Sequence, residues 1–210
     1  MSLYTPNVYL KACKPSETTR ISRTCSRVKK NVSEDMVLMY EDESHIRDYQ
    51  ALHATWSLKG KQKQVLTHGH HATVSLFGAL NVMNGEFLCM EAAKCNEQWF
   101  QQFLEYILSQ YPKKNIVMIL DNARIHHAVI LKPFLEKHRK RLTLLFLPPY
   151  SPNLNLCERI WKWMKESVIV NRFYATREEI RESIISFLEY IADMPENVLQ
   201  RVARVHMSKA

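Results

Sequence analysis

The sequence lacks the features of a disulfide-bonded secreted domain and of a membrane protein. Five of its 210 residues are cysteine, and no two of them form a Cys-x-x-Cys pair. An odd number of cysteines does not build a disulfide framework. No apolar run approaches the ~18–20 residues that cross a bilayer, and the N-terminus has no signal-peptide core. We therefore expect a soluble, cytoplasmic protein with reduced thiols.

An excess of acidic residues is also absent. The net charge is +8 and the isoelectric point is near 9.3, which favours a polyanionic partner but does not bear on the fold. The apolar fraction of 46% is sufficient for a buried core. A length of 210 residues suits one domain with an appendage.

The appendage is expected at residues 1–35. This segment has seven Lys and Arg residues against three acidic residues, and no hydrophobic period lasts along it. Two interpretations stay open: a flexible solvated linker, or a basic arm that follows a DNA backbone. Residues 36–210 form the predicted folded domain.

Hydrophobic patterning from residue 36 onwards indicates a mixed α/β domain. Predicted strands cover 36–40, 53–58, 73–82, 116–120 and 142–147, with a further hairpin strand around 86–90. Four helices are predicted. One begins at a capping Asn96, one begins at a capping box of Thr176 and Glu179, and the other two cover about 126–138 and 154–170. We expect one mixed sheet with helices on its faces.

Three acidic residues follow apolar strands or tight loops in this pattern. The strand Met36–Tyr40 runs into the acidic cluster 41–43, the strand 116–120 runs into Asp121, and Glu158 begins a helix after a Pro/Asn-rich loop. Strand alternation sends Asp42 to one face of the sheet and its two acidic neighbours to the other. From the residues alone, either side of that cluster could face a site.

A divalent metal site is the chemistry that such acids suggest. Any one of them alone is most often a cap or a solvated residue, but three converging carboxylates would repel each other unless cations neutralise them. Two ions ~3.5–4 Å apart, held mainly by carboxylates, catalyse phosphodiester chemistry in many nucleases. Oxygen ligands without His or Cys favour Mg²⁺ or Mn²⁺ over zinc. The prediction is a metal-dependent nuclease core.

Three sequence blocks carry a family resemblance. EDES (41–44), LDNARIHH (120–127) and LPPYSPNLNLCERIW (147–161) resemble the signature blocks of DDE transposases, in the bacterial insertion-sequence branch of the mariner-like superfamily. The similarity covers about residues 36–192, and the 36 residues between Asp121 and Glu158 suit that branch. One departure is Leu156-Cys157, where the family usually has Pro-Ile.

The resemblance implies a ribonuclease H-like fold with a five-stranded mixed sheet, and Asp42, Asp121 and Glu158 as the catalytic and metal-binding triad. It places Asp42 at a bridge between two Mg²⁺ or Mn²⁺ ions, with each of the other two acids completing the shell of one ion. The implied reaction is hydrolysis at the ends of a DNA element, followed by transfer of the freed 3′-hydroxyl into target DNA that contains TA.

The resemblance also implies double-stranded DNA as partner, a dimer on DNA, and action at the nucleoid. Family members normally also carry about a hundred residues of N-terminal helix-turn-helix, which is missing here. The sequence could therefore be the catalytic half of a split or frameshifted element, a truncated copy or a designed fragment, and a separate chain could supply DNA recognition. An alternative is a catalytically idle fragment that binds DNA or dimerises as a regulator. A third is a ribonuclease H or resolvase-like nuclease on the same fold.

Further polar residues near the three blocks are candidates for DNA contact or for support of the acids, and each has a structural alternative. Asn122 suits turn chemistry, His126 could contact a phosphate or orient a carboxylate, and Asn155 could cap the helix of Glu158. Trp161 is expected in the core. The candidate basic contacts to DNA phosphates are Lys61, Lys63, Arg159, Lys162 and Lys165.

Overall fold

The computed structural model describes residues 35–47, 72–149, 154–170, 172 and 174–203. Five strands form one sheet in the order β3-β2-β1-β4-β5. Strand β1 is antiparallel to β2, and β2 is antiparallel to β3, whereas β1, β4 and β5 run parallel. The strands are β1 Met36–Arg47, β2 Thr73–Asn81, β3 Phe87–Ala92, β4 Asn115–Leu120 and β5 Leu142–Phe146. The predicted mixed five-stranded sheet is confirmed.

Helices cover both faces of the sheet. On one face, α1 and α2 bury their apolar residues against Val37, Met39 and Phe77. On the other, α3, α4 and α5 pack on Leu38 and Tyr40. The helices are α1 Glu97–Gln110, α2 Leu131–His138, α3 Cys157–Val168, α4 Arg177–Ala192 and α5 Pro195–Ala203. None of the helices in the described ranges is long and apolar enough to cross a membrane.

Local sequence explains where several elements begin. The Asn96 side chain accepts a hydrogen bond from the Trp99 amide and caps α1. The Thr176 hydroxyl does the same for the Glu179 amide at the start of α4. Gly85 takes a φ of 81° in the turn between β2 and β3, which favours glycine. Both predicted helix caps and the hairpin turn are confirmed.

Three predicted elements have different boundaries in the structure. Strand β1 does not end at residue 40 but continues through the acidic cluster to Arg47, because its backbone pairs with β2 as far as Thr73. The predicted helix 126–138 is a 3₁₀ turn, Arg124–His127, followed by α2. Helix α3 begins at Cys157 rather than near residue 154. Helix α5 was not predicted, and the predicted strand 53–58 lies outside the described residues.

Candidate active site

The topology brings Asp42, Asp121 and Glu158 to the same edge of the sheet. Pairing of the parallel strands β1 and β4 ends at Tyr40 and Ile119, so Asp42 lies two residues beyond the last pair and Asp121 directly after β4. By strand alternation Asp42 shares the face of Tyr40, on which α3 packs. Glu158 lies in the first turn of α3.

The three carboxylates are near enough to affect one another's ionisation. Burial raises the pKa of Asp42 from 3.8 to about 7, and the negative charges of Glu43, Glu158 and Asp121 add to this shift. The pKa of Glu158 is raised by burial and by Asp121. Asp42 is partly buried, whereas Asp121 and Glu158 are exposed. The acidic group is therefore open to solvent on one side.

His126 holds Asp121 from the opposite side. Its Nδ1 lies 3.2 Å from an Asp121 carboxylate oxygen and 3.1 Å from the Asp121 carbonyl oxygen. Its Nε2 lies 3.0 Å from Glu43 Oε1 and 3.5 Å from Glu41 Oε2. The imidazole is only 2% exposed and packs on the Phe100 ring. His126 thus connects Asp121 to Glu41 and Glu43, whose side chains lie on the face of β1 that α1 covers.

The charges in this group stabilise one another. Burial lowers the pKa of His126, but the hydrogen bonds to Asp121 and Glu43 and the charge of Glu41 outweigh it, and the pKa rises to about 11. The hydrogen bond from His126 in turn lowers the pKa of Asp121, against burial, with help from the Ala123 amide. His126 therefore carries a proton at neutral pH and keeps Asp121 ionised.

Glu41 is a buried acid in the same group. Its side chain is fully inaccessible, and neither oxygen has a hydrogen-bond donor among the described residues. Burial and the nearby Glu43 charge raise its pKa well above the usual range. One ligand atom each from Glu41, Glu43 and His126 lies within 4.8 Å of the others, a spacing that could hold a cation only if His126 lost its proton. The sequence pointed to His126 as a residue that could orient a carboxylate, but not to Glu41 and Glu43 as its neighbours.

The two asparagines flanking the site use their amides within the protein. The side-chain nitrogen of Asn122 donates to the Leu147 carbonyl and ties the end of β4 to the loop after β5. Asn155 is 3% exposed, and it donates to the Glu41 carbonyl at 2.8 Å. Each amide nitrogen therefore makes a hydrogen bond within the protein.

The predicted basic face of α3 divides into residues with different surroundings. The pKa of Lys165 is lowered, mainly by burial and also by the charge of Arg47, although the charges of Asp42 and Glu158 oppose this shift. Lys165 is therefore within electrostatic range of these two acids. The Lys162 side chain is 78% exposed and pairs at 4.0 Å with Glu166. The Arg159 guanidinium donates to the Val202 carbonyl of α5. Lys61 and Lys63 lie outside the described residues.

Structures of the Mos1 transposase are among the solved structures similar to this fold. The mariner Mos1 paired-end complex with Mn aligns with a TM-score of 0.64 at 16% identity, over 97% of this chain and 67% of that one. The catalytic domain of Mos1 alone aligns with a TM-score of 0.55 at 15% identity, over 91% and 93% of the two chains. At this identity the likeness shows the fold, which is ribonuclease H-like as predicted.

Sequence relatives come from transposable elements. The 39 kDa protein of insertion element IS630 from Shigella sonnei is 28% identical over 159 residues, which are 75% of this chain and 46% of that protein. The Tc3 transposase of Caenorhabditis elegans is 28% identical over 137 residues, 63% of this chain and 40% of that protein. The chain thus spans less than half the length of these two relatives. The profile of the DDE superfamily endonucleases matches residues 37–181, and the chain belongs to that family.

Proposed function

We propose that this chain is the catalytic domain of a DNA transposase, with Asp42, Asp121 and Glu158 as its catalytic residues. The observation that carries the proposal is the convergence of these three acids on one sheet edge, where burial and the charges of the neighbouring acids raise the pKa of Asp42 to about 7. Like-charged carboxylates gathered at an open edge need a cationic partner. A transposase relative such as Tc3 supports the reaction class.

The donor set fits a divalent cation. All three side chains offer carboxylate oxygens, which suit Mg²⁺ or Mn²⁺, and we propose that they hold two such ions. The Mos1 relatives include paired-end complexes with Mn and with Mg. When bound, such ions activate a water or hydroxyl and stabilise the leaving oxygen of a phosphodiester.

The neighbouring side chains prepare the acids for this role. His126 fixes the Asp121 carboxylate and keeps it charged, as an outer-shell partner does in many metal sites. Lys165 is within electrostatic range of Asp42 and Glu158 and forms no close ion pair with a described residue, so we propose that it contacts a DNA phosphate there. Arg159 and Lys162 have protein partners already.

The proposed substrate is double-stranded DNA at the ends of a mobile element. Hydrolysis breaks a phosphodiester and leaves a 3′-hydroxyl, which then attacks a target phosphodiester, forming one bond and releasing a target 3′-hydroxyl. The net charge of +8 favours this polyanion. Paired-end complexes of Mos1 support a dimer on DNA, and we propose that the protein acts at the nucleoid.

Plasmid nicking tests the proposal. Supercoiled DNA is incubated with the protein and Mg²⁺, and an RNA–DNA hybrid serves as a second substrate. We expect wild-type nicking of DNA and its loss in Asp42→Asn, Asp121→Asn and Glu158→Gln, with the fold retained by circular dichroism. The exposed acids Asp193 and Glu182 provide matched controls, Asp193→Asn and Glu182→Gln, which we expect to nick like the wild type.

Three other outcomes would overturn it. Nicking by a triad variant at the wild-type rate would remove that residue from the site. DNA binding without any Mg²⁺-dependent nicking would favour a catalytically idle regulator. Preferential cleavage of the RNA–DNA hybrid would indicate a ribonuclease.

A further inference from the structure

Two buried side chains join the start of α3 to β1 directly before Asp42. The side-chain nitrogen of Asn155 donates to the Glu41 carbonyl at 2.8 Å, and the Cys157 thiol donates to the Tyr40 carbonyl at 2.8 Å. The side-chain oxygen of Asn155, Oδ1, also accepts a hydrogen bond from the Cys157 backbone amide at 3.1 Å. We call these two residues the α3 clamp.

The clamp lies where the sheet no longer holds β1 on the β4 side. Pairing between β1 and β4 ends at Tyr40, and the two carbonyls that the clamp uses belong to Tyr40 and to the next residue. The residue preceding α3, Leu156, makes no side-chain cap. The Asn155 oxygen therefore supplies the N-terminal hydrogen bond that a capping residue normally supplies.

The position of the clamp in sequence links the two ends of the acidic site. Cys157 immediately precedes Glu158, and the carbonyl that Asn155 binds immediately precedes Asp42. Asn155 is 3% exposed and Cys157 is fully buried, so no water competes for these bonds. A displacement of the first turn of α3 from β1 moves Glu158 away from Asp42 directly.

We propose that Asn155 and Cys157 are positioning residues that set the distance between Glu158 and Asp42, and thereby the affinity of the site for divalent ions. This inference rests on the proposed function. A purely structural role predicts something different, because it lowers stability without a specific loss of metal affinity. In this chain the Cys157 thiol acts as a hydrogen-bond donor. The isoleucine that the DDE transposases usually have at this position could not donate to the Tyr40 carbonyl.

Four variants separate the two roles. Asn155→Ala removes both amide bonds, Cys157→Ala removes the thiol donor, and Cys157→Ser keeps a donor at the same place. Ile160→Val removes one methyl group from a fully buried residue of the same helix and leaves the clamp hydrogen bonds in place. It therefore measures the effect of lost packing alone. Each protein is compared by Mn²⁺ titration calorimetry, by the Mg²⁺ dependence of plasmid nicking, and by its melting temperature.

We expect the dissociation constant for Mn²⁺ to be roughly 10-fold higher in the two alanine variants than in the wild type. The Mg²⁺ concentration that gives half-maximal nicking should rise by roughly the same factor. A misplacement of a catalytic group by ~1 Å costs on the order of 10²-fold in rate, and partial recovery is expected at saturating Mg²⁺. Cys157→Ser should retain affinity within about 3-fold of the wild type, since its hydroxyl replaces the thiol as donor. Ile160→Val should have a lower melting temperature than the wild type and the same affinity for Mn²⁺.

The proposal is overturned if the alanine variants bind Mn²⁺ as tightly as Ile160→Val does. It is also overturned if Cys157→Ser loses as much affinity as Cys157→Ala, because a retained donor would then have no effect. These results leave wild-type nicking intact and so count against the clamp alone. A wild-type protein that neither binds Mn²⁺ nor nicks DNA would instead reject the proposed function itself.

Discussion

Replacing Asp42 with asparagine should inactivate the protein and stabilise its metal-free form at the same time. Asparagine has the shape of the carboxylate without its charge. In the absence of ions, the wild-type protein must keep Asp42 close to Glu43, Glu158 and Asp121 at neutral pH. Removal of one of these charges relieves the repulsion and the cost of burial.

The magnitude follows from the raised pKa. The pKa of Asp42 is about 7 in the folded protein against an ordinary value of 3.8. One pKa unit corresponds to ~1.4 kcal/mol, so ionisation of Asp42 costs the folded state at most about 4 kcal/mol. Asp42 is partly exposed, and screening by solvent reduces this to an expected ~2 kcal/mol. For a chain of this size the gain corresponds to a rise in melting temperature of roughly 4–8 °C.

The sign of the pH dependence is set by which state binds the proton more tightly. Because the pKa of Asp42 is higher in the folded state, folding takes up a proton between pH 3.8 and about 7. The contribution of this group to stability is complete below pH 3.8 and is lost as the pH rises through about 7. Asp42→Asn should therefore match the wild type near pH 4 and exceed it at pH 8.

Thermal melting in EDTA at pH 4, 6 and 8 measures the effect, with Asp193→Asn as a matched exposed control. Addition of Mg²⁺ should raise the melting temperature of the wild type and leave Asp42→Asn nearly unchanged, since a ligand stabilises only the state that binds it. A variant that melts below the wild type at pH 8 in EDTA would refute the proposed electrostatic strain at Asp42.

Three further substitutions test other parts of the site. Gly78→Ala places a methyl group 2.5 Å from the Trp161 ring, so we expect a loss of about 2 kcal/mol in the free energy of unfolding by denaturant titration. His126→Asn removes the cation that holds the neighbouring catalytic carboxylate, and we expect nicking to fall by ~10–100-fold. Lys165→Ala should reduce the salt dependence of DNA binding by about one phosphate contact, measured by fluorescence anisotropy, whereas the exposed Lys162→Ala should change it less.

Each of these predictions has its own contrary result. A Gly78→Ala protein as stable as the wild type would show that α3 does not pack closely on β2. Full activity of His126→Asn would show that Asp121 needs no support. Equal salt slopes for Lys165→Ala and Lys162→Ala would show that the position beside the acids gives Lys165 no special role in DNA binding.

Most strands and helices were predictable because their signals are local. The strand that precedes Asp121 is a continuous apolar run, and α1 combines a capping Asn96 with apolar residues at helical spacing. Strand alternation alone separated Asp42 from Glu41 and Glu43, as the structure bears out. Strand β1 was predicted too short, since acidic residues disfavour a strand locally whereas its pairing with β2 is a long-range contact.

The supporting residues of the site were less predictable. Helical spacing groups Arg159, Lys162 and Lys165 on one basic helix, but only packing against α5 and β1 decides which of them reaches the acids. The clamp thiol of Cys157 had no sequence signal, because a buried cysteine usually packs as a small apolar residue. The group around His126 joins residues 83 positions apart, a distance over which hydrophobic pattern carries no information.

A crystal structure of the protein soaked in Mn²⁺, with anomalous diffraction, tests the central proposal most directly. We predict strong anomalous peaks coordinated by Asp42, Asp121 and Glu158, and their loss in Asp42→Asn crystals. Peaks confined to the opposite face of β1, at Glu41 and Glu43, or no peak beside Asp42 at saturating Mn²⁺, would contradict the assignment of the three acids as the metal-binding triad.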